Sequence, residues 1–436
     1  MRQWTYGLVG REISRLARYA DRIIHVDPLP SDGGFLMEAI DGPARSAAAS
    51  DRLGDAAIDP AAATVLLFNG NFNHSTDIQG LLESVRPHLG RRARVLVVLY
   101  NWYFAWLFRL ADHLGLREGP RISTFITRPD LAQLSRLAGF DLVRLRPVAY
   151  VPWHFFGLGS LVNAVMPALP GLRWISLVSV ATLRPLAPER QKPSLTIVIP
   201  ARNERGNIEA ALHRMPDFGV STEVIYVEGH SSDGTWEEIQ RVAGEWDGRG
   251  ALRVRAFQQT GRGKADAVRL GFSQASGDVL TILDADLTMP PERLTRFFDA
   301  YCAGAADFVN GSRLVYPMEG EAMRFLNHLG NVFFAKLLSF VLDAPIGDSL
   351  CGTKLLARRD YERFVRWRAD FGDFDPFGDF ELLFPAAVLG TGIIDVPVDY
   401  RARTYGTTNI RRFRDGAILF RMSMTGLFRI KCGSLR

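Results

Sequence analysis

Residues 276–291 read SGDVLTILDADLTMPP, and the fold is decided there. Residues 279–283 (VLTIL) form an apolar run of strand length that breaks directly into Asp284-Ala285-Asp286. In an open α/β sheet, ligands bind outside the carboxyl ends of the strands. A pair of Asp side chains at such an end can coordinate a hard divalent cation through oxygen, and that cation can bridge a diphosphate. A lone Asp-x-Asp is weak evidence, so its surroundings decide.

Upstream, residues 195–200 (LTIVIP) and 223–228 (EVIYVE) are further strand-like runs. Helical spacing occupies residues 204–215, and a second helix opens at Thr235 after SSDGT. Alternation of strand and helix implies a parallel sheet. Its strands end in three polar clusters: Ala201-Arg202-Asn203-Glu204, Glu228-Gly229-His230 and Asp284-Ala285-Asp286. All three line one crevice, which asks for an anionic, phosphate-bearing substrate.

The alternation has a separate history before residue 185. Residues 22–27 (RIIHVD), 64–69 (TVLLFN) and 94–99 (RVLVVL) are strand-like, with helical patterns at 77–85 and 101–114. Residues 44–63, rich in Ala, Ser and Asp, read as a loop with a helical turn. The stretch PLAPERQKP at 185–193 carries three prolines and reads as a linker. With 436 residues, the chain is too long for one ordinary core, so two domains are expected.

Composition narrows the classes. Hydrophobic residues make up 47% and charged ones 23%, which describes a globular chain. Net charge is +5, and no basic stripe interleaved with aromatics appears, so nucleic-acid binding is not expected. Cys302, Cys351 and Cys432 are odd in number and widely spaced, which fits a reducing compartment. The first residues lack the apolar core of a signal peptide. The longest apolar region, residues 150–183, is broken by Pro152, Pro167, Pro170 and Arg173, so buried core is expected there instead of a membrane span.

Taken in order, IPARNE, EGHSSDGT, GRGKADAVRLGF, SGDVLTILDADLTMPP and NGSR make residues 193–410 resemble the family 2 glycosyltransferases of GT-A fold. The nearest branch is that of the dolichyl- and polyprenyl-phosphate sugar synthases. The resemblance implies that Pro200, Asn203, Glu204, Glu228, Asp233, Lys264 and Asp284 bind the nucleotide sugar. It implies Mg²⁺ or Mn²⁺ on Asp284 and Asp286. Ser312, Arg313 and Arg403 would meet the acceptor phosphate, with Asp286, Arg313 and Arg403 carrying catalysis. Asp348 to Lys354 would flank the acceptor pocket, and Gly406, Thr407, Thr408 and Asn409 would close the site.

Two departures stand out. Glu228-Gly229 replaces the family's consecutive Asp pair, which leaves the base, UDP or GDP, open. Thr288 stands where relatives often carry a metal-binding Gln. The implied reaction is a single inverting displacement from a nucleotide diphosphate sugar onto a polyprenyl-phosphate-type lipid. A hydroxyl acceptor would need a base, for which Asp379 and Glu381 are the candidates. Residues 323–342 and 417–430 are apolar helical stretches, suited to core packing or to a peripheral membrane surface.

Residues 1–27, with Gly7, Gly10 and an acidic strand end at Asp27, resemble the start of a Rossmann-like class I methyltransferase that lacks the dense glycine motif. The expected architecture is therefore α/β in two domains. Residues 1–184 form an incomplete, degenerate methyltransferase-like domain, 185–193 a linker, 194–410 a GT-A transferase domain and 411–436 an amphipathic tail. The expected location is cytoplasmic, peripheral on the inner face of the membrane at most.

Overall fold

The computed structural model describes residues 2–56, 58–115, 120–317, 325–403, 405 and 412–433. The expected two-domain α/β architecture is present as two separate mixed sheets.

The first sheet holds β1 (Arg22–Val26), β2 (Ala44–Ala48), β3 (Thr64–Asn69), β4 (Arg94–Tyr100), β5 (Phe140–Ala149) and β6 (Val178–Pro185), in the order β2-β1-β3-β4-β6-β5. The first four are parallel, and β6 runs antiparallel between β4 and β5. Alternation splits β3 cleanly: Leu66 and Phe68 face one apolar core, Val65 and Leu67 the other. Helices cover both faces, so the run is apolar throughout. The stretch expected as a loop at 44–63 contains β2. Its Ala and Ser side chains carry little strand propensity, and only pairing with β1 makes it a strand.

The second sheet holds β7 (Leu195–Ala201), β8 (Thr222–Glu228), β9 (Leu252–Gln258), β10 (Val279–Ile282), β11 (Phe308–Ser312), β12 (Lys354–Ala357) and β13 (Ile393–Pro397), in the order β13-β11-β12-β10-β7-β8-β9. Strands β10, β7, β8 and β9 are parallel neighbours, so their carboxyl ends share one edge. Cores again lie on both faces, one built on Val198, Ile225 and Ile282, the other on Ile197, Tyr226 and Leu283.

A polar seam joins the two sheets. Asp307, just before β11, accepts from Arg91 Nε and Arg94 Nη2, each at 2.7 Å. Arg91 also reaches Glu189 at 2.9 Å and stacks over the Tyr301 ring. The proline-rich stretch is thus held against both domains. A second buried carboxylate, Asp343, takes Arg146 at 2.8 Å, Arg173 at 2.7 Å and Lys431 at 2.6 Å. The final stretch, a helix Arg412–Gly426 and a wider turn Leu427–Lys431, packs into this seam, and Lys431 is buried there.

One expectation fails. Residues 178–183 are buried in β6, but much of 153–175 stands in solvent: Trp153, Phe155, Phe156 and Leu158 are all exposed. Proline and glycine break this stretch into short helical turns too small to fold their apolar side chains inward. Among the described residues, no helix is long and apolar enough to cross a membrane.

Two tests follow from the seam. Asp307→Ala leaves Arg94 as an uncompensated buried cation and takes from Arg91 one of its two carboxylate partners, and a loss of about 3–5 kcal/mol is expected in urea unfolding. Burial pushes the Lys431 ammonium down to about 7, against the pull of Asp343. An unfolded lysine titrates near about 10, so between these values the unfolded chain binds the proton that the folded chain releases. Stability therefore gains from rising pH across that window, and Lys431→Met should flatten the gain in urea melts run from pH 7 to 10.

Candidate functional site

The carboxyl ends of β7, β8 and β10 form the crevice expected from the sequence, and short-range geometry shapes each end. Asn203 takes a left-handed φ of 56°, so the chain turns sharply after β7. Its amide nitrogen donates to Ser231 Oγ, and its side-chain oxygen accepts from Ser232 N, each at 2.9 Å. Those bonds tie the ends of β7 and β8 together. Asp233 precedes the next helix, whose N-cap is Gly234, and accepts from its first amide, Thr235 N, at 3.1 Å. Pro200 sits in β7, half-buried.

The two aspartates follow β10, where Leu283 N still pairs with Val198 O at 3.0 Å. Asp284 is held by Lys264, the first residue of the helix Lys264–Gln274. Burial works against the Asp284 anion, yet Lys264 wins and holds its carboxyl below the usual range. A Cβ at Gly352 would overlap both the Lys264 ammonium and Asp284, so only glycine fits that close approach. Asp286 accepts from the Thr288 amide at 3.1 Å and its hydroxyl at 2.8 Å. Thr288 thus orients the carboxylate; it does not extend the ligand set.

Arg403, expected to hold phosphate, reaches into the crevice. It spans two carboxylates of the crevice, donating to Glu204 Oε1 at 3.0 Å and to Asp286 Oδ2 at 2.6 Å. Tyr405 follows the same path, its hydroxyl 3.2 Å from Asp233. Residues 401–403 and 405 therefore strap over the ends of β7, β8 and β10. Glu204 also accepts from Asn207 at 2.7 Å, but burial prevails and raises its carboxyl above the ordinary range. Glu228, 2% exposed, spends its carboxylate on Ser231 N and Gln258.

The residues expected to flank an acceptor are held in ion pairs. Arg313 grips Asp348 through two nitrogens at 2.7 and 2.9 Å and is largely buried. Ser312 is buried at the end of β11. Lys354, fully buried, pairs with Asp379, and Glu381 is clasped by Arg269 and Arg368. Gly406, Thr407, Thr408 and Asn409 lie outside the described residues. An open cleft of about 790 Å³ adjoins Glu228, lined by Arg205, Trp236 and Gln258, none of which carried a motif in the sequence.

The Lys264–Asp284 pair invites a double-mutant cycle. Both side chains are about one-third exposed (32% and 31%), so the pair is worth far less than a buried one. Lys264→Met in the presence of chelator is expected to cost about 1 kcal/mol, recovered largely by adding Asp284→Asn, as read by denaturant midpoints.

Comparison with known proteins agrees with this geometry. Residues 196–364 match the family model described as Glycosyl transferase family 2. The dolichyl-phosphate hexose transferase of Haloferax volcanii is 31% identical over 228 residues, which cover 52% of this chain and 90% of that protein. The dolichol-phosphate mannosyltransferase of Pyrococcus furiosus is 28% identical over 226 residues, covering 50% of this chain. This chain spans 59% of that protein's length. A crystal structure of Mycobacterium tuberculosis glucosyl-3-phosphoglycerate synthase with Mn²⁺, UDP-glucose and glycerol 3-phosphate is 17% identical. It covers 55% of this chain and 80% of its own, at a TM-score of 0.39. The chain belongs to glycosyl transferase family 2.

Proposed function

We propose that this protein moves a sugar from a nucleotide diphosphate sugar onto a polyprenyl-phosphate-type lipid, with inversion at the anomeric carbon. The observation that carries the reading is the state of the two strand-end carboxylates. Asp284 and Asp286 face the same crevice, and each is neutralised by a cation from a distant segment, Lys264 and Arg403. Such an arrangement suits a divalent metal and a diphosphate arriving together.

The residues present fit a hard cation such as Mg²⁺ or Mn²⁺. The donors are carboxylate oxygens, and the absence of a side chain at Gly352 lets Asp284 and the Lys264 ammonium lie against the backbone there. Among the described residues no group of three or more His, Cys, Asp or Glu converges, so the remaining ligands would come from the donor's phosphates and from water. Bound there, the metal would neutralise charge on the departing diphosphate. Lys264 and Arg403 would be freed to meet phosphate oxygens, and Glu204 and Asn203 would line the nucleoside side.

The acceptor follows from what the carboxylates are doing. A hydroxyl nucleophile needs a base, yet Glu381 is clasped by two arginines and Asp379 is paired with Lys354. A phosphate monoester already carries its nucleophilic oxyanion. That oxygen forms the new bond to the anomeric carbon while the bond to the diphosphate breaks, and the nucleoside diphosphate leaves with the electron pair. Arg313, fixed by Asp348, would orient the acceptor from the end of β11. The names of the Haloferax and Pyrococcus relatives also specify dolichyl or dolichol phosphate.

The first domain is read as a degenerate methyltransferase-like unit with a packing role. Its parallel strands with an antiparallel β6 inserted between β4 and β5 support that kinship. The Asp27 carboxylate is used within the fold, accepting from Ser50 N at 2.9 Å.

The deciding assay supplies labelled UDP- and GDP-sugars with polyprenyl phosphate and Mn²⁺ or Mg²⁺, then extracts lipid. Labelled lipid is expected, falling at least about 100-fold with chelator or in Asp286→Asn. Label released into water as free sugar, with none in lipid, would overturn the acceptor and keep the transferase site. No turnover of any donor, and no metal-dependent binding of UDP or GDP, would overturn the whole reading.

A further inference from the structure

The exposed apolar residues of the first domain are not scattered. In residues 151–176 there is no Asp or Glu, and Trp153, Phe155, Phe156, Leu158, Leu161 and Leu172 all stand in solvent. Phe156 is 106% exposed, more than an extended chain would leave it. Scattered surface hydrophobics need no account, but a contiguous apolar face does.

The tip of this face is strained. Phe155 and Phe156 have φ values of 41° and 50°, a region that bulky L-residues avoid. The turn is enforced by its neighbours: Gly157 N and Gly159 N both bond His154 O at 3.0 Å. A Cβ at Gly159 would overlap the Trp153 carbonyl. Two phenylalanines are thus held outward at a conformational cost, Phe155 touching only the exposed Trp153 ring among the aromatic contacts and Phe156 standing wholly in solvent.

A second element extends the face. The turn Trp102–Phe104 and the helix Ala105–His113 expose Trp102, Tyr103, Trp106 and Leu110. The two elements are bonded, Asn101 Nδ2 donating to Trp174 O at 2.7 Å. On the other side, Arg173 bonds Asp343 and lies 5.1 Å from the centre of the Phe340 ring, at the end of the helix Phe325–Leu342. That helix exposes Leu329, Val332 and Phe333. The apolar face therefore crosses the seam into the transferase domain.

We infer that this face, with Phe155 and Phe156 at its tip, seats the protein on a bilayer surface containing anionic lipid. Tryptophan and tyrosine are the residues that favour the headgroup region, and two exposed cations adjoin them: Arg128 lies 5.8 Å from the centre of the Trp174 ring, and Arg109 stands in the helix Ala105–His113 that exposes Trp106. A protein partner of ordinary surface would not explain the lack of acids across 151–176. The link to a membrane-borne acceptor rests on the function proposed above, but the docking itself does not.

The test is vesicle flotation of the full chain, without donor or acceptor, on phosphatidylcholine alone and on phosphatidylcholine with one-quarter phosphatidylglycerol. Binding is expected with the anionic vesicles and weaker with the neutral ones. Phe155→Asn together with Phe156→Asn should lower the bound-to-free ratio at least about tenfold. The same pair should leave the melting temperature unchanged or raise it, because Asn accepts a left-handed backbone. Arg109→Gln with Arg128→Gln should remove the preference for anionic vesicles. Absence of binding to either vesicle, or equal binding by the Asn pair, overturns the inference. So does concentration-dependent dimerisation that the Asn pair abolishes while no vesicle binds, since the face would then join two copies. Vesicle binding without any transfer onto polyprenyl phosphate upholds docking and counts against the acceptor alone.

Discussion

A carboxylate withdrawn from water must find a cation or a set of hydrogen-bond donors, and the Asp307–Arg94 contact shows that constraint at its plainest. Arg94 is 1% exposed and Asp307 2% exposed, so neither could be left ionised alone. The same requirement recurs wherever this chain does something unusual. Asp343 gathers Arg146, Arg173 and Lys431 from three distant segments. Asp348 holds Arg313, and Asp379 holds Lys354. Each pair is weak evidence for stability, since desolvation offsets much of the attraction. Each is strong evidence for position, because the partners cannot exchange without stranding a charge.

That logic separates the seam from the crevice. At the seam the carboxylates Asp307 and Asp343 are buried, each with its side chain 3% exposed. In the crevice, Asp284 and Lys264 remain about one-third open to water, and Arg403 is 28% exposed. An ion pair in contact with solvent can be traded for a metal and a diphosphate at modest cost, whereas Asp307 cannot be traded for anything. The difference between a structural and a functional acid here lies in accessibility, with residue type and charge the same.

Much of the site was legible because its geometry is local. Strands β7, β8 and β10 end in polar clusters that the sequence displays directly, and parallel order puts them on one edge. The Asp284–Asp286 spacing and the Asp233 contact with Thr235 need only a few neighbouring residues. What the sequence hid is long-range. Arg403 bonds Glu204 and Asp286 across 199 and 117 residues, so no spacing rule could pair them. Strands β11, β12 and β13 carry four or five residues each and exist through their neighbours. The apolar run at 150–183 was misleading for a related reason. Composition reports that side chains avoid water, but not whether protein or another apolar medium covers them.

Strand β11 shows how the two halves of the molecule come to depend on each other. Asp307, immediately before its first residue, takes its cations from the first domain, and Arg313, immediately after its last, pairs with Asp348. Five paired residues of extended backbone lie between them, held by β12 on one side and β13 on the other. Residues beyond β13 then return to the site: Val398 N bonds Ser312 O, and Arg401 N bonds Thr288 O beside Asp286, each at 2.9 Å. Displacing the first domain would strand Asp307 at the root of a strand whose tip positions Arg313. The first domain is thus linked to the crevice by the five residues of β11.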